Sequence, residues 1–558
     1  MQSTLKPLIL ALAAVFTTMT AGLATAETII DNVRGYTLNQ EGELQQFQAL
    51  AFDDAGKIIG FGNVGDLAGK LPKAKHVDGG GKTLLPGMID AHGHVLSLGA
   101  SQMQLGLRAT ANLAEAQKAI ADYARRFPLS QWILGGEWNQ ANWKLGRFPT
   151  AQEIDVMVKD RPVWLSRVDG HAGWANSKAL QLAGITETTP DPAGGKIEKD
   201  HQGKPTGILV DAAMRLVDKV VPPASNAEQR AALDLALLEL AKAGITSVHD
   251  AGVSESADKL FREYADRGKL TTRIYGMVRG TDDFFDKVSQ QDPLLTYGRD
   301  FYSLRAVKLF ADGALGSRGA ALMAPYSDAP HTHGLLFKTA DEMYAMIEKA
   351  ASKGYQVNVH AIGDAGNRQI LDGFARLPVS ASANLRHRIE HAQVVALDDI
   401  PRFRQLGILP SMQPTHATSD MNMAEDRVGT ERIKGAYAWR SFLQHGSRIA
   451  CGSDFPIESP NPFWGVHAAV TRQDMAGKPA QGWYANQAMT VQEALRCFTL
   501  DAAYAAHQEN ILGTLEAGKW ADFILIDQDM LSMPATDIYK IKVLQTWVAG
   551  KKVYSASK

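Results

Sequence analysis

Between residues 84 and 512 the chain repeats one unit, a helical segment that leads into a short apolar run. Asn226 to Gly244 leads into Ile245-Thr246-Ser247-Val248, and Asp341 to Gly354 leads into Tyr355-Gln356-Val357-Asn358-Val359. A helix between two strands carries the chain back across the sheet, so successive strands run parallel. About eight such runs fit the region, which favours a closed (β/α)8 TIM barrel over an open sheet. Two runs, Trp132-Ile133-Leu134 and Val163-Trp164-Leu165, compete for the second barrel strand, so an insertion is expected around 139–240.

The two ends read as all-β. Residues 27–83 alternate apolar segments with Gly- and Asp-containing turns, and residues 513–558 do the same in Trp520-Ala521-Asp522-Phe523-Ile524-Leu525-Ile526-Asp527 and Val543-Leu544-Gln545-Thr546-Trp547-Val548-Ala549-Gly550. Neither end has enough strands for a stable sheet alone. They are expected to pair into one small β-sandwich, with the 84–512 barrel inserted between them. The fold class is therefore α/β.

The first 26 residues read as a secretory signal: Lys6, then the apolar run from Pro7 to Phe16, then a small-x-small site at Ala24-Thr25-Ala26. The run is shorter than the ~20 residues a bilayer core requires. Cleavage after Ala26, export to the periplasm and no membrane association afterwards are expected. The formal charge of −2, from 58 basic and 60 acidic residues, argues against nucleic acid and for a small-molecule substrate. A homodimer is an open assembly state. Cys451 and Cys497, the two cysteines of the chain, read as buried free thiols.

Chemistry begins at His92-Gly93-His94, which ends the apolar run Leu84 to Ile89. Positions i and i+2 of a strand share a side, so both imidazoles can face one metal ion. His331-Thr332-His333 has the same spacing but follows a loop at Ala329-Pro330, and it reads as surface. His360 follows Val357-Asn358-Val359, His391 ends Arg386-His387-Arg388-Ile389-Glu390 and Asp454 ends Ile449-Ala450-Cys451-Gly452-Ser453, all read as strand ends, where barrel enzymes keep their sites. Lys308 lies inside Leu304-Arg305-Ala306-Val307-Lys308-Leu309-Phe310. Burial disfavours its charged form, and a neutral amine can take up carbon dioxide as a carbamate, an anionic oxygen ligand able to bridge two metals.

Pro86-Gly87-Met88-Ile89-Asp90-Ala91-His92-Gly93-His94 resembles the opening motif of the amidohydrolase superfamily. Val307-Lys308-Leu309-Phe310-Ala311-Asp312-Gly313 resembles the carboxylated-lysine strand of its N-substituted formamide deformylase-like (amidohydrolase 3) branch. Val168-Asp169-Gly170-His171-Ala172, His360-Ala361-Ile362-Gly363-Asp364, Ile389-Glu390-His391-Ala392-Gln393 and Gly452-Ser453-Asp454-Phe455-Pro456 continue the likeness, and Leu515 to Asp522 completes it. The resemblance implies that His92, His94 and Asp454 hold one divalent metal, His360 and His391 hold a second, and carboxylated Lys308 bridges them. Nitrogen and oxygen donors suit Zn²⁺, with Mn²⁺ or Co²⁺ as alternatives. It further implies a metal-bridging hydroxide as nucleophile, with Asp454 as general base and then acid, acting on an amide, formamide or N-acyl C–N bond.

Asp169, His171, His249, Asp312, Arg318 and Trp138 are candidates for substrate contact, and Trp143 and Trp174 suggest an apolar substrate group. Two other functions compete: a mononuclear deaminase on the same fold, with His391 as an acid–base group, and an exported binding or regulatory protein on a hydrolase scaffold.

Overall fold

The computed structural model describes residues 27–140, 142–167, 172–192, 195–316, 318–378 and 384–557. The expected signal segment, Asp169 and His171 lie outside them.

Eight parallel strands form the barrel: β1 (Met88–Gly93), β2 (Ile245–Val253), β3 (Arg273–Arg279), β4 (Tyr302–Phe310), β5 (Gln356–Ala361), β6 (Arg388–His391), β7 (Leu409–Met412) and β8 (Ala450–Cys451). They pair in that order, and Gly93 bridges Phe455, just past β8, to close the ring. The helices before β2 and β5 show how local sequence sets the register. Ser225 and Thr339 each cap a helix, Asn226–Ala243 and Ala340–Ser352, with Glu228 and Glu342 completing capping boxes. Gly244 takes the left-handed conformation (φ 81°) that ends the first helix and releases the chain into β2. Leu233, Leu237 and Leu240 of that helix are buried against the barrel, each contributing about 2 kcal/mol.

Both chain ends enter one mixed sheet of eight strands. Its order is Lys551–Ser555, Val543–Val548, Phe523–Ile526, Lys75–Pro86, Thr28–Leu38, Ala49–Phe52 and Ile58–Gly62, with Leu44–Phe47 paired to Thr28–Leu38. The sheet folds over its own core, because Phe52 reaches Phe523 and Trp547 across it, with ring centroids 6.0 and 6.1 Å apart. Lys75–Pro86 runs through Gly87 directly into β1. A Cβ at Gly87 would lie 2.1 Å from Thr246 Oγ1, so only glycine permits this approach to β2. Buried Arg273 of β3 donates to Asp522 at 2.6 Å and fixes the sheet to the barrel floor.

The two runs that compete for the second barrel strand both lie elsewhere. Ile133–Trp138 and Val163–Arg167 are neighbours in a separate six-stranded sheet, which spans Leu105 to Asp211 with its own core and so starts ahead of residue 139. The second barrel strand is β2.

The free-thiol reading of the cysteines is corrected. Cys451 of β8 and Cys497 of helix Val491–Cys497 form a buried disulfide with Cα atoms 5.1 Å apart. Apolar context shows that each thiol is buried, but not that two residues 46 apart face one another.

Candidate active site

The C-terminal ends of β1, β4, β5, β6 and β8 converge on a cavity of about 660 Å³. Its walls carry His92, His94, Lys308, His360, His391 and Asp454 together. Lys308 Nζ lies 3.2 Å from His92 Nε2. Asp454 Oδ1 lies 3.1 Å from His94 Nε2 and 3.5 Å from His92 Nε2. The His391 ring sits 4.8 Å from that of His92 and 4.5 Å from that of His360. Ligand atoms of His92, His391 and Asp454 fall within 4.8 Å of one another.

Polar residues behind these side chains set their tautomers. His92 Nδ1 donates to Glu390 Oε2 at 2.5 Å, and His391 Nδ1 donates to Gln413 Oε1 at 2.7 Å. Each neutral ring is thereby left with a bare Nε2 lone pair, as metal-ligating imidazoles require. His360 Nε2 is buried and has no hydrogen-bond partner among the described residues. A set of imidazole nitrogens, a carboxylate and a lysine amine around one cavity fits divalent metal.

Charge follows from burial. Desolvation and the neighbouring Lys308 push the His92 imidazole down against the pull of Glu390, and the same two causes bring His360 to about 3. Burial also pushes the Lys308 amine down, opposed by Glu390 and Asp454. For Glu390 burial acts upward, but His92, Arg388 and Lys308 hold its carboxyl at about 2. Burial would likewise raise Asp454, yet the hydrogen bond from His94 and the surrounding imidazoles keep it well below the usual carboxylate range.

His387 behind β6 is buried and brought to about 3 by desolvation and then His507, so both it and His360 stay neutral when folded. Their folded values lie below the ordinary 6.5, so their contribution to stability is complete above that pH and is lost as pH falls toward 3. Each adds a slope of up to about 1.4 kcal/mol per pH unit. The carboxyls of Asp90 and Asp312, which burial raises to about 7, act in the opposite sense over this range, so the check is a difference. In the metal-free protein the urea midpoint of His387→Gln is expected to fall less steeply than that of wild type from about pH 7 to about pH 5, and parallel profiles would contradict the buried neutral state.

The other described candidates, Trp138, His249, Asp312 and Arg318, fall outside the cavity lining. Trp138 is buried in the inserted sheet, its Nε1 donating to Leu165 O at 2.8 Å, and Trp143 and Trp174 pack beside it. His249 lies deep in the barrel and accepts from Arg388 Nη1 at 2.9 Å. Arg318 pairs with Asp328 at 2.8 Å. Asp312 accepts the backbone N–H groups of Ala321, Ile362 and Gly363 and fixes the loop after β5, with Oδ1 3.6 Å from His360 Nε2. His331 and His333 are exposed.

Sequence reasoning missed several wall residues. His416 stands in helix Pro414–Asp420 just past β7, its Nε2 3.7 Å from Asp454 Oδ2 and its ring stacked 5.8 Å from that of His391. Gln413, Asp420 and Glu458 also escaped notice, and Gln393 was quoted within a motif without a role of its own. The available signal was the polar run from Gln413 to Asp420 directly after an apolar strand.

Residues 75–554 match the amidohydrolase family. The chain is 33% identical to the YtcJ protein of Bacillus subtilis (strain 168) over 94% of its length and 98% of that protein. It is 30% identical to an N-substituted formamide deformylase of Arthrobacter pascens, over 89% of this chain and 93% of the other. An uncharacterized metal-dependent hydrolase from Pyrococcus furiosus shares the structure with a TM-score of 0.76 and 29% identity, covering 91% of this chain and all of that one.

Proposed function

Because the chain belongs to the amidohydrolase family of metal-dependent hydrolases, we propose that its cavity cleaves the carbon–nitrogen bond of an amide, formamide or other N-acyl compound. The observation that carries this reading is the convergence of His92, His94, Lys308, His360, His391 and Asp454 on one cavity at the strand ends. The similarity to a formamide deformylase points to the same bond class.

In this reading His92, His94 and Asp454 would hold one ion and His360 and His391 the other, and Lys308, as its carbamate, would complete the ligand set. Two divalent ions bound there, Zn²⁺ or else Mn²⁺ or Co²⁺, would supply Lewis acidity toward the scissile carbonyl and would acidify a water. The depressed Lys308 amine is the form that adds carbon dioxide, releasing one proton. Asp454 accepts the proton of the attacking water on a carboxylate oxygen and returns it to the departing nitrogen. Glu390 and Gln413 keep the rings of His92 and His391 turned toward the cavity. His416, beside Asp454, is placed to donate Nε2–H to the carbonyl oxygen as charge gathers there.

Export to the periplasm, with the signal removed after Ala26, is part of the proposal. It is supported by the Cys451–Cys497 disulfide, a bond that persists in oxidising compartments.

The test pairs metal analysis with a panel of formamides, N-acetyl amines and dipeptides. About two ions per chain and turnover of the formamides or N-acetyl amines are expected. One ion per chain, with release of ammonia from an aminated heterocycle instead, would establish a mononuclear deaminase. Full occupancy with no turnover of any compound would leave a binding protein.

A further inference from the structure

The far wall of the cavity carries charge that the proposed hydrolysis does not use. Asp420 and Glu458 both line it, and Lys308 is the sole lysine or arginine among the described lining residues. Neither acid has an ion-pair partner among the described residues. Both are held from behind by neutral donors. Asp420 Oδ2 accepts from Tyr437 OH at 2.7 Å and from Gln393 Nε2 at 3.0 Å, and Glu458 Oε1 accepts from Ser419 Oγ. Tyr437 and Gln393 are themselves buried, so Asp420 is fixed in place and not swinging in solvent. Its Oδ1 has no donor among the described residues.

Position adds to charge. His416 and Asp420 stand four residues apart on helix Pro414–Asp420, on the same helix face, about 6 Å from each other along the axis. His416 reaches Asp454 at the reacting end, and Asp420 stands one helical turn away from it in the same cavity wall. Phe310, Leu315, Ile362 and Ile457 supply apolar wall to the same cavity.

We infer that the substrate is an N-acyl compound with a cationic group, an ammonium or guanidinium, separated from the scissile amide by an apolar chain and received by Asp420 and Glu458. This rests on the hydrolytic reading of the site. Water would divide between the products, its hydroxyl joining the acyl carbon and its hydrogen the amine. The fixed carboxylates then recognise the far end of the amine and not the bond being broken.

The experiment compares monoacetylated cadaverine with N-hexylacetamide, which carries a methyl group where the first has its ammonium. On metal-loaded enzyme, kcat/KM for the cationic amide is expected to exceed that for the neutral one at least tenfold. Asp420→Asn is expected to bring the two within about twofold of each other, with Glu458→Gln producing part of that collapse. Equal values in the wild type, or a preference that survives both substitutions, overturn the inference. If neither amide is cleaved, the hydrolytic reading fails for this bond. Calorimetric titration with the same two compounds then decides the inference by itself: tighter binding of the cationic one, lost in Asp420→Asn, upholds it, and equal binding overturns it.

Discussion

Asp454→Asn is expected to lower kcat about a thousandfold on the best N-acyl substrate while KM and metal content stay within a few-fold of wild type. The reason lies in what the substitution removes. Asparagine keeps an oxygen donor of the same shape, so it can still face His92 and His94, which lie 3.5 and 3.1 Å from Oδ1. It cannot accept a proton. The native carboxyl is held well below the usual carboxylate range by His94 and the other imidazoles, despite a burial cost that acts upward, so it is ready to accept one at neutral pH. Steady-state kinetics with metal analysis check this. Normal turnover in the variant would remove Asp454 from the proton path.

Lys308→Ala is expected to have the second large effect, reducing bound metal to one ion or fewer per chain and activity by at least about 10³-fold, which is about 4 kcal/mol of barrier. Lys308 is fully buried, and its amine lies 3.2 Å from His92 Nε2, where no surface anion can replace it. Wild-type protein reconstituted with isotope-labelled bicarbonate is expected to show a carbamate carbon resonance that the variant lacks. A variant with two ions and unchanged rate would show that the lysine bridges nothing.

The parts of the molecule that were legible in the sequence share one physical trait: a residue costly to bury, set in a run that demands burial. Lys308 inside an apolar strand and His92, His360 and Asp454 at the ends of such strands are conspicuous on that ground, whereas His391 follows the charged run from Arg386 to Glu390 and is marked by its motif. Alanine-rich segments from Asn226 to Gly244 and from Asp341 to Gly354, each leading into a short apolar run, made the helix-then-strand repeat readable. Partnership was not legible. Ile133–Trp138 and Val163–Arg167 carry ordinary strand patterns, and a pattern does not say which sheet a strand joins. The Cys451–Cys497 bond escaped for the same reason. Trp138, Arg318 and His249 looked like substrate contacts because their residue types often are, yet each is occupied by a protein partner. Gln413 and His416 escaped because their roles come from facing the strands on either side of β7, β6 and β8.

The terminal sheet has a temporal consequence. Lys75–Pro86, which feeds β1, has Thr28–Leu38 on one edge and Phe523–Ile526 on the other. As the chain emerges from the ribosome, the first edge is covered early, whereas the second stays bare until more than four hundred further residues have followed. Through that interval the apolar Leu84 and Leu85 lie next to an unpaired backbone edge, an invitation to mispairing with other chains. A nonsense mutation shortly after residue 512 therefore acts far from its own position: it removes the partner of an early strand, and with it the support of the barrel's first one.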